Sequence, residues 1–344
     1  MAAFGEGLFG VGIRGTGQVA VQHAEAIRDN PYVYVAAVCG RSREKAQALI
    51  DRVAPGAQAF DRYEDMLESA KVDIVVECMP NYLHAPESLL ALEAGKHLVL
   101  EKPAGITEEE TDALYSAAVR SDKKTVVSFL IRWVPLVANL KQLIEGGAIG
   151  SVYYAGMDYW HGIKPTFSSY PRIRRRDYAG GAMITGGCHA ADAARYLHGE
   201  VDEVCAFASP GRLDFDFDTT VSAAVRFCDG SVGRLSASLD GLAFPYQFNI
   251  DLLGTRGAIR NGRLYSGTLF PQQNDWVHLP MIEPNSGSVD PHPFHEEWNE
   301  IVDGIRLGTP IRSTLEDACR SMDVALAVTR SAATGKPVRI RARK

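Results

Sequence analysis

Short apolar runs alternate with amphipathic segments over the first third of the chain. The apolar runs predict strands at residues 8–13, 33–39, 73–78, 97–100 and 125–129. Apolar residues at helical spacing predict helices between them, at 19–28, 44–53, 86–94 and 108–121. Apolar strands that alternate with helices are typical of a parallel sheet covered on both faces. The first third is therefore predicted to be a parallel α/β domain.

The pattern changes after residue 130. A helical pattern at 136–145 is followed by strand-like runs, mostly without helices between them, at 152–160, 203–209, 219–227, 231–238 and 247–253. Asp229-Gly230 separates two alternating runs, which is a strong hairpin signal. A stretch with Pro, Gly and Asn predicts a loop over 266–288, and helical patterns follow at 294–306 and 314–333. An antiparallel or mixed sheet with helices is expected here.

A length of 344 residues suggests two domains. The change of pattern places them at 1–130 and 131–344. The two C-terminal helices are assigned to the second domain, with the alternative that they pack back near the first.

The composition is that of an ordinary globular protein, with 46% apolar and 23% charged residues. A net charge of −6 argues against a nucleic-acid partner. The N-terminus lacks a secretory pattern, and no apolar run approaches the roughly 18 residues that span a bilayer. The six cysteines are scattered, without a CxxC pair. A cytoplasmic protein with reduced cysteines and no membrane partner is expected.

Two overlapping G-x-G-x-x-[GA] patterns lie near the start, one beginning at Gly10 and one at Gly15. A phosphate-binding turn must follow a strand and open a helix. Only the second pattern has a full strand before it and a predicted helix after it. A dinucleotide pyrophosphate is therefore expected at this turn and at the helix N-terminus. The predicted contact residues are Gly15, Thr16, Gly17, Gln18 and Val19.

The end of the second strand bears on the choice between NAD and NADP. Dinucleotide folds that prefer NAD place a carboxylate there for the ribose 2′-hydroxyl. Here the strand ends in Gly40, followed by Arg41 and Ser42, which could hold a 2′-phosphate by charge and by hydroxyl donation. The cofactor is predicted to be NADP. An Arg41 that stacks on the adenine instead would be compatible with NAD.

Several segments together resemble the glucose–fructose oxidoreductase/inositol dehydrogenase/MocA family. Besides the glycine turn, they are Cys78–His84, Gly95–Pro103, Arg132-Trp133-x-Pro135, Gly180–Asp192 and Arg330–Val338. The resemblance implies a Rossmann domain followed by an α/β domain on an open, mostly antiparallel sheet. It also implies hydride transfer between nicotinamide and a carbinol or ketone of a sugar, cyclitol or related polyol. The outer face of the second sheet would serve a homodimer or homotetramer.

The resemblance also implies roles for individual residues. Lys102 would hydrogen-bond the reacting oxygen, with the Lys102-Pro103 peptide bond often cis, and His189 would be the general base, a task that suits imidazole. Further cofactor contacts would come from Pro80, Asn81, His84, Glu101 and Lys102. Substrate contacts are predicted from Asp192, Thr185, Arg132, Trp133, Trp160 and His161.

One position departs from the family pattern. Polyol dehydrogenases commonly carry an aspartate four residues before the histidine, where this chain has Thr185, which cannot carry negative charge. Two other functions remain open: glycoside cleavage through transient oxidation by a retained cofactor, and a dinucleotide sensor without turnover. The basic run Arg172–Arg176 is expected to form a solvated or inter-subunit loop, with a site for an anionic substrate as the alternative. No metal site is expected at His292-x-x-His295, which lacks other clustered ligands.

Overall fold

The computed structural model describes residues 8–211, 214–239, 245–279 and 292–343. Contacts divide these residues into two units. The first contains 8–105, 109–130 and 292–319, and the second contains 106–108, the described residues from 131 to 279, and 320–343.

The first unit is built on a parallel sheet of six strands. Its elements are β1 (Phe9–Arg14), α1 (Gln18–Arg28), β2 (Val33–Cys39), α2 (Arg43–Val53), β3 (Gln58–Phe60), α3 (Tyr63–Leu67), β4 (Ile74–Glu77), α4 (Asn81–Glu93), β5 (His97–Leu100), α5 (Glu108–Arg120) and β6 (Thr125–Val127). The strand order is β3-β2-β1-β4-β5-β6, and every pair is parallel. The predicted parallel α/β architecture is confirmed, and the winding direction reverses between β1 and β4.

The second unit is built on a larger, mostly antiparallel sheet. After a 3₁₀ helix (Leu130–Trp133), the chain forms α6 (Pro135–Glu145), β7 (Val152–Trp160), α7 (Tyr170–Ile173), α8 (Arg176–Ala179), α9 (Ala182–Thr185), α10 (Cys188–Leu197), β8 (Val201–Ser209), β9 (Thr220–Phe227), β10 (Val232–Ser238), β11 (Gln247–Gly254), β12 (Gly257–Arg260), β13 (Arg263–Ser266) and β14 (Val277–His278). The strand order is β14-β13-β12-β11-β7-β10-β9-β8-β15, where β15 is Val338–Arg339. Only the pair β7–β10 is parallel. The predicted sheet is confirmed, as is the hairpin at Asp229-Gly230 between β9 and β10.

Two helices follow the second sheet in sequence. α11 (Phe294–Leu307) belongs to the first unit and packs on α1, while α12 (Leu315–Thr334) continues from the first unit into the second. The indole of Trp298 in α11 is fully buried and donates to Nδ1 of His23 in α1 at 3.0 Å. A segment from late in the sequence therefore completes the first hydrophobic core.

The differences from the predicted elements concern short segments. The sequence pattern missed β3, α3, β12–β15 and the short helices α7–α9, all of which have five residues or fewer and so show no clear periodicity. α4 begins at Asn81 rather than at residue 86, so Pro86 lies inside the helix instead of opening it. The predicted loop 266–288 contains β14, and residues 280–288 lie outside the described part of the chain.

Candidate functional site

The connection from β1 to α1 is a tight turn with an open side. Gly15 has φ +125°, and a Cβ there would lie 2.9 Å from the carbonyl oxygen of Cys78, so only glycine fits. Gly17 is the N-cap of α1, and a Cβ there would meet nothing within 4 Å. The turn therefore presents the first amides of an 11-residue helix to open space, as pyrophosphate binding requires.

The alternative glycine pattern lies inside β1. A Cβ on Gly10 would come within 1.8 Å of the carbonyl oxygen of Lys71, and one on Gly12 would press on Val72 and Met66. These glycines permit close packing within the sheet and do not form a turn. The strand–turn–helix geometry belongs to Gly15–Gly17.

The end of β2 carries a glycine, and not an acidic residue, at the ribose position, and the surroundings of this glycine are tightly packed. A Cβ on Gly40 would lie 3.0 Å from the carbonyl oxygen of Ser42. Arg41 is exposed, while Ser42 is the N-cap of α2 and accepts a hydrogen bond from the Lys45 amide at 3.4 Å. A hydrogen bond from Ser42 lowers the pKa of the exposed Glu44. The strand end is thus followed by the exposed cation Arg41 and by the Ser42 hydroxyl, which is already engaged locally.

Two further loops at the carboxyl edge of the first sheet carry predicted cofactor residues. Pro80 and Asn81 begin α4 directly after β4, and both are half-buried. Lys102, also half-buried, follows the adjacent strand β5, and its bond to Pro103 is cis, as the resemblance implies. The loops after β1, β4 and β5 therefore meet at the edge where open α/β sheets bind ligands.

Beneath this edge, Glu101 is held by a histidine. His23 Nε2 lies 3.1 Å from Glu101 Oε1, and Trp298 fixes the other ring nitrogen of His23. Burial would raise the pKa of Glu101, but the hydrogen bond from His23, together with Lys102, lowers it overall. The nearby Glu297 is fully buried, and burial raises its pKa well above the usual range. Glu101 is thus an internal carboxylate beside Lys102.

In the second unit, His189 lies in the first turn of α10 with only 8% of its surface exposed. The ring of Tyr159 stacks on it, with centroids 5.4 Å apart and planes at 23°. The hydroxyl of Tyr159 lies 3.1 Å from Nδ1 of His161, and Tyr246 packs edge-on against both Tyr159 and His161. The structure therefore brings two predicted site residues, His189 and His161, together around one tyrosine.

Sequence reasoning missed Tyr159, although a signal for it existed. Successive side chains of a strand point to opposite faces. Met157 and Tyr159 are buried on the face of β7 that packs against α10. Trp160 lies on the other face, where its indole donates to the Ser236 hydroxyl at 3.2 Å. Strand alternation alone would have selected Tyr159 over Trp160 as the neighbour of His189.

Arg132 and Asp192, both predicted to bind substrate, bind each other. The guanidinium donates to both carboxylate oxygens, at 2.9 and 2.6 Å, and the Ser321 hydroxyl donates to Asp192 at 2.7 Å. Both charged side chains are at most 3% exposed. Trp133 and Thr185 are also buried. The ion pair ties the segment before α6 to the helix that carries His189.

Two other candidate motifs are placed at the surface. In the basic run, Arg175 pairs with Asp177 at 3.1 Å, and the Arg176 amide donates to Asp216 at 2.6 Å. His295 pairs with Asp29 at 3.1 Å. Within the described residues, no group of His, Cys, Asp and Glu could hold a metal ion. No described helix is long and apolar enough to cross a membrane.

Comparisons with known proteins agree with this architecture. Residues 9–129 match the model of an oxidoreductase family with an NAD-binding Rossmann fold, and residues 137–260 match the GFO/IDH/MocA C-terminal domain. The chain is 27% identical to scyllo-inositol 2-dehydrogenase (NAD(+)) from Bacillus subtilis, over 95% of each chain. It is 28% identical to D-xylose 1-dehydrogenase (NADP(+)) 2 from Haloferax volcanii, over 96% of this chain and 99% of that one.

A solved structure extends the likeness to the whole fold. Levoglucosan dehydrogenase in complex with NADH and levoglucosan superimposes with a TM-score of 0.84, at 24% identity, covering 97% of this chain and 99% of that one. The two family models and the two sheets of the structure thus point to the same family. The chain is a member of the Gfo/Idh/MocA family of oxidoreductases.

Proposed function

We propose that this protein transfers a hydride between a nicotinamide dinucleotide and a carbinol or ketone of a sugar, cyclitol or related polyol. The observation that carries the proposal is the carboxyl edge of the first sheet. The open turn at Gly17 and the loop with Lys102 lie beside the point between β1 and β4 where the winding reverses. Open α/β sheets bind dinucleotides at such a point. Relatives named for inositol, xylose and levoglucosan support the substrate class.

A bound nicotinamide would supply hydride acceptance or donation at its ring. The chain would supply position and proton transfer. Lys102 donates a hydrogen bond to the reacting oxygen, and His189 exchanges the proton of that hydroxyl. Thr185 provides a neutral hydroxyl where polyol dehydrogenases commonly carry an aspartate.

For the cofactor, the proposal is a preference for NADP. Gly40 leaves no carboxylate to repel a 2′-phosphate, and the exposed Arg41 can pair with one. Substitution Arg41→Ala should raise the KM for NADP while leaving that for NAD nearly unchanged. An equal effect on both cofactors would instead support stacking of Arg41 on the adenine.

The outer face of the second sheet is proposed to join copies of this chain. Phe207 is 78% exposed there, and Val232 is 53% exposed. Exposed apolar side chains on a broad sheet are typical of an interface between subunits. Light scattering of Phe207→Lys against the unmodified protein tests this, since a dimer or tetramer should dissociate.

One experiment tests the reaction itself. A panel of sugars, cyclitols and their keto forms is incubated with each nicotinamide cofactor, and absorbance of the reduced nicotinamide is followed. Lys102→Met and His189→Asn should abolish most turnover while the dissociation constant for the cofactor changes little. Near-normal turnover of Lys102→Met would refute the roles assigned. A cleaved glycoside without net absorbance change would indicate redox-neutral cleavage, and binding without turnover a sensor.

A further inference from the structure

We propose that His84 and Glu77 form a buried clamp that fixes the loop carrying Lys102. Between them, the ring of His84 and the carboxyl group of Glu77 hold two protons. The term clamp refers to these two side chains and the carbonyls of Met79 and Pro103 that His84 contacts. The effect on turnover rests on the proposed function, while the proton placement does not. His84 is then a positioning residue, acting through Lys102.

The ring of His84 lies between two backbone carbonyls. Its Nδ1 is 2.8 Å from the Pro103 oxygen, and its Nε2 is 2.7 Å from the Met79 oxygen. A carbonyl oxygen only accepts hydrogen bonds, so each ring nitrogen must carry a hydrogen for both contacts to be favourable. The geometry therefore requires an imidazolium. With 1% of its surface exposed, His84 is shielded from bulk solvent.

Glu77 supplies the counter-charge. It is fully buried at the end of β4, with Oε2 3.5 Å from Nε2 of His84 and Oε1 accepting the Met79 amide at 3.0 Å. A neutral ring beside a protonated Glu77 would hold the same two protons. It would, however, leave a nitrogen lone pair facing one of the two carbonyl oxygens, at 2.7 or 2.8 Å depending on the tautomer, which is repulsive. The proton arrangement is thus an imidazolium beside a carboxylate.

The surroundings favour a clamp without net charge. Burial raises the pKa of Glu77 well above its usual range, with Glu87 adding to the effect, and burial lowers the pKa of His84. Neither group would therefore be charged alone, and the pair ionises as a unit. The other charged or titratable groups that face the pair are Arg14, Tyr63, Cys78, Glu87, Glu101 and Lys102.

The clamp joins two loops of the candidate cofactor site. Met79 belongs to the loop between β4 and α4, and Pro103 belongs to the loop after β5, directly following Lys102. If one carbonyl contact is lost, the loop with Lys102 is free to shift. A displacement of about 1 Å at a catalytic group can cost on the order of 100-fold in rate. Both ring nitrogens are engaged with the backbone, so His84 supports the cofactor loops from within.

Nitrogen NMR tests the proton placement directly. The intact protein, without cofactor, is labelled with ¹⁵N in the rings of its nine histidines and measured at pH 7. The ring-nitrogen resonances of His84 are identified as those that are missing in His84→Gln. If that variant does not fold, the resonances that move in Glu77→Gln identify them instead. Both nitrogens of His84 should resonate in the protonated range, and one should leave it in Glu77→Gln. One unprotonated nitrogen in the unmodified protein would overturn the proposal.

Kinetics test the positioning. Glu77→Gln should lower kcat by roughly 10- to 100-fold with the KM for the cofactor unchanged. Asp323→Asn is the matched control, because it removes another buried carboxylate, bonded to Arg341 at 2.9 and 2.8 Å and not among the groups that face the clamp. A normal kcat in Glu77→Gln, or equal losses in both variants, would refute the positioning role. If no sugar or cyclitol is turned over at all, the proposed function fails, and the NMR result still decides the clamp.

Discussion

The buried ion pair between Arg132 and Asp192 is predicted to stabilise the fold, so breaking it should lower the free energy of unfolding. Replacing Arg132 by Met removes two hydrogen bonds, of 2.9 and 2.6 Å, to the carboxylate of Asp192. That carboxylate is 2% exposed and keeps its hydrogen bond from the Ser321 hydroxyl. Breaking a buried ion pair from one side costs about 3–5 kcal/mol, since the remaining charge is uncompensated. The double variant Arg132→Met/Asp192→Leu removes both charges and should cost less than the sum of the two single changes.

Urea unfolding of the four proteins in this cycle measures these costs. The free energy of unfolding should fall by about 3–5 kcal/mol in Arg132→Met and recover partly in the double variant. The same proteins are assayed for KM with a substrate from the panel. A loss of less than about 1 kcal/mol together with a raised KM would refute a structural role and restore the predicted direct contact with substrate.

Three other predictions follow from the sites. Gly15→Ala should destabilise the protein, because φ at this residue is +125° and the carbonyl oxygen of Cys78 would lie 2.9 Å from the new Cβ. Gly17→Ala should weaken cofactor binding without loss of stability, and thermal melting and cofactor titration distinguish the two effects. Glu101→Gln should destabilise the protein at pH 7 and progressively less below pH 4.5. The reason is that the stability from the lowered pKa of Glu101 is complete above the unfolded value and is lost as the pH falls through the folded one; melting temperatures from pH 3 to 7 measure this. Tyr159→Phe keeps the ring stacked on His189 and should change the pH profile of kcat less than Tyr159→Leu does.

Each of these predictions has a contrary outcome. Equal stability losses at the two glycines would contradict the open turn. A destabilisation of Glu101→Gln that stays constant down to pH 3 would mean that this carboxylate is not ionised in the fold. Identical profiles for the two Tyr159 variants would remove the stacking from the mechanism.

Sequence pattern was sufficient for the long elements and for the glycine turn. β2, β5 and β7 have the predicted bounds because each is a continuous apolar or alternating run. The short strands β3 and β12–β15 could not be predicted, since their pairing depends on neighbours distant in the sequence. The same holds for the site. The family resemblance pointed to Lys102 and His189, while the partners of His84 and Asp192 are set by tertiary contacts.

The return of α11 to the first unit has a consequence for biosynthesis. Its Trp298 caps His23, and Ser313 closes the end of β6 by hydrogen bonds with Val127, so the amino-terminal core is finished by a late segment. At about 5–20 residues per second, a ribosome needs on the order of 10–30 s between these parts of the chain. During this interval the nascent Rossmann sheet exposes an unfinished apolar flank. A truncation after residue 130 would keep that flank exposed permanently and should aggregate.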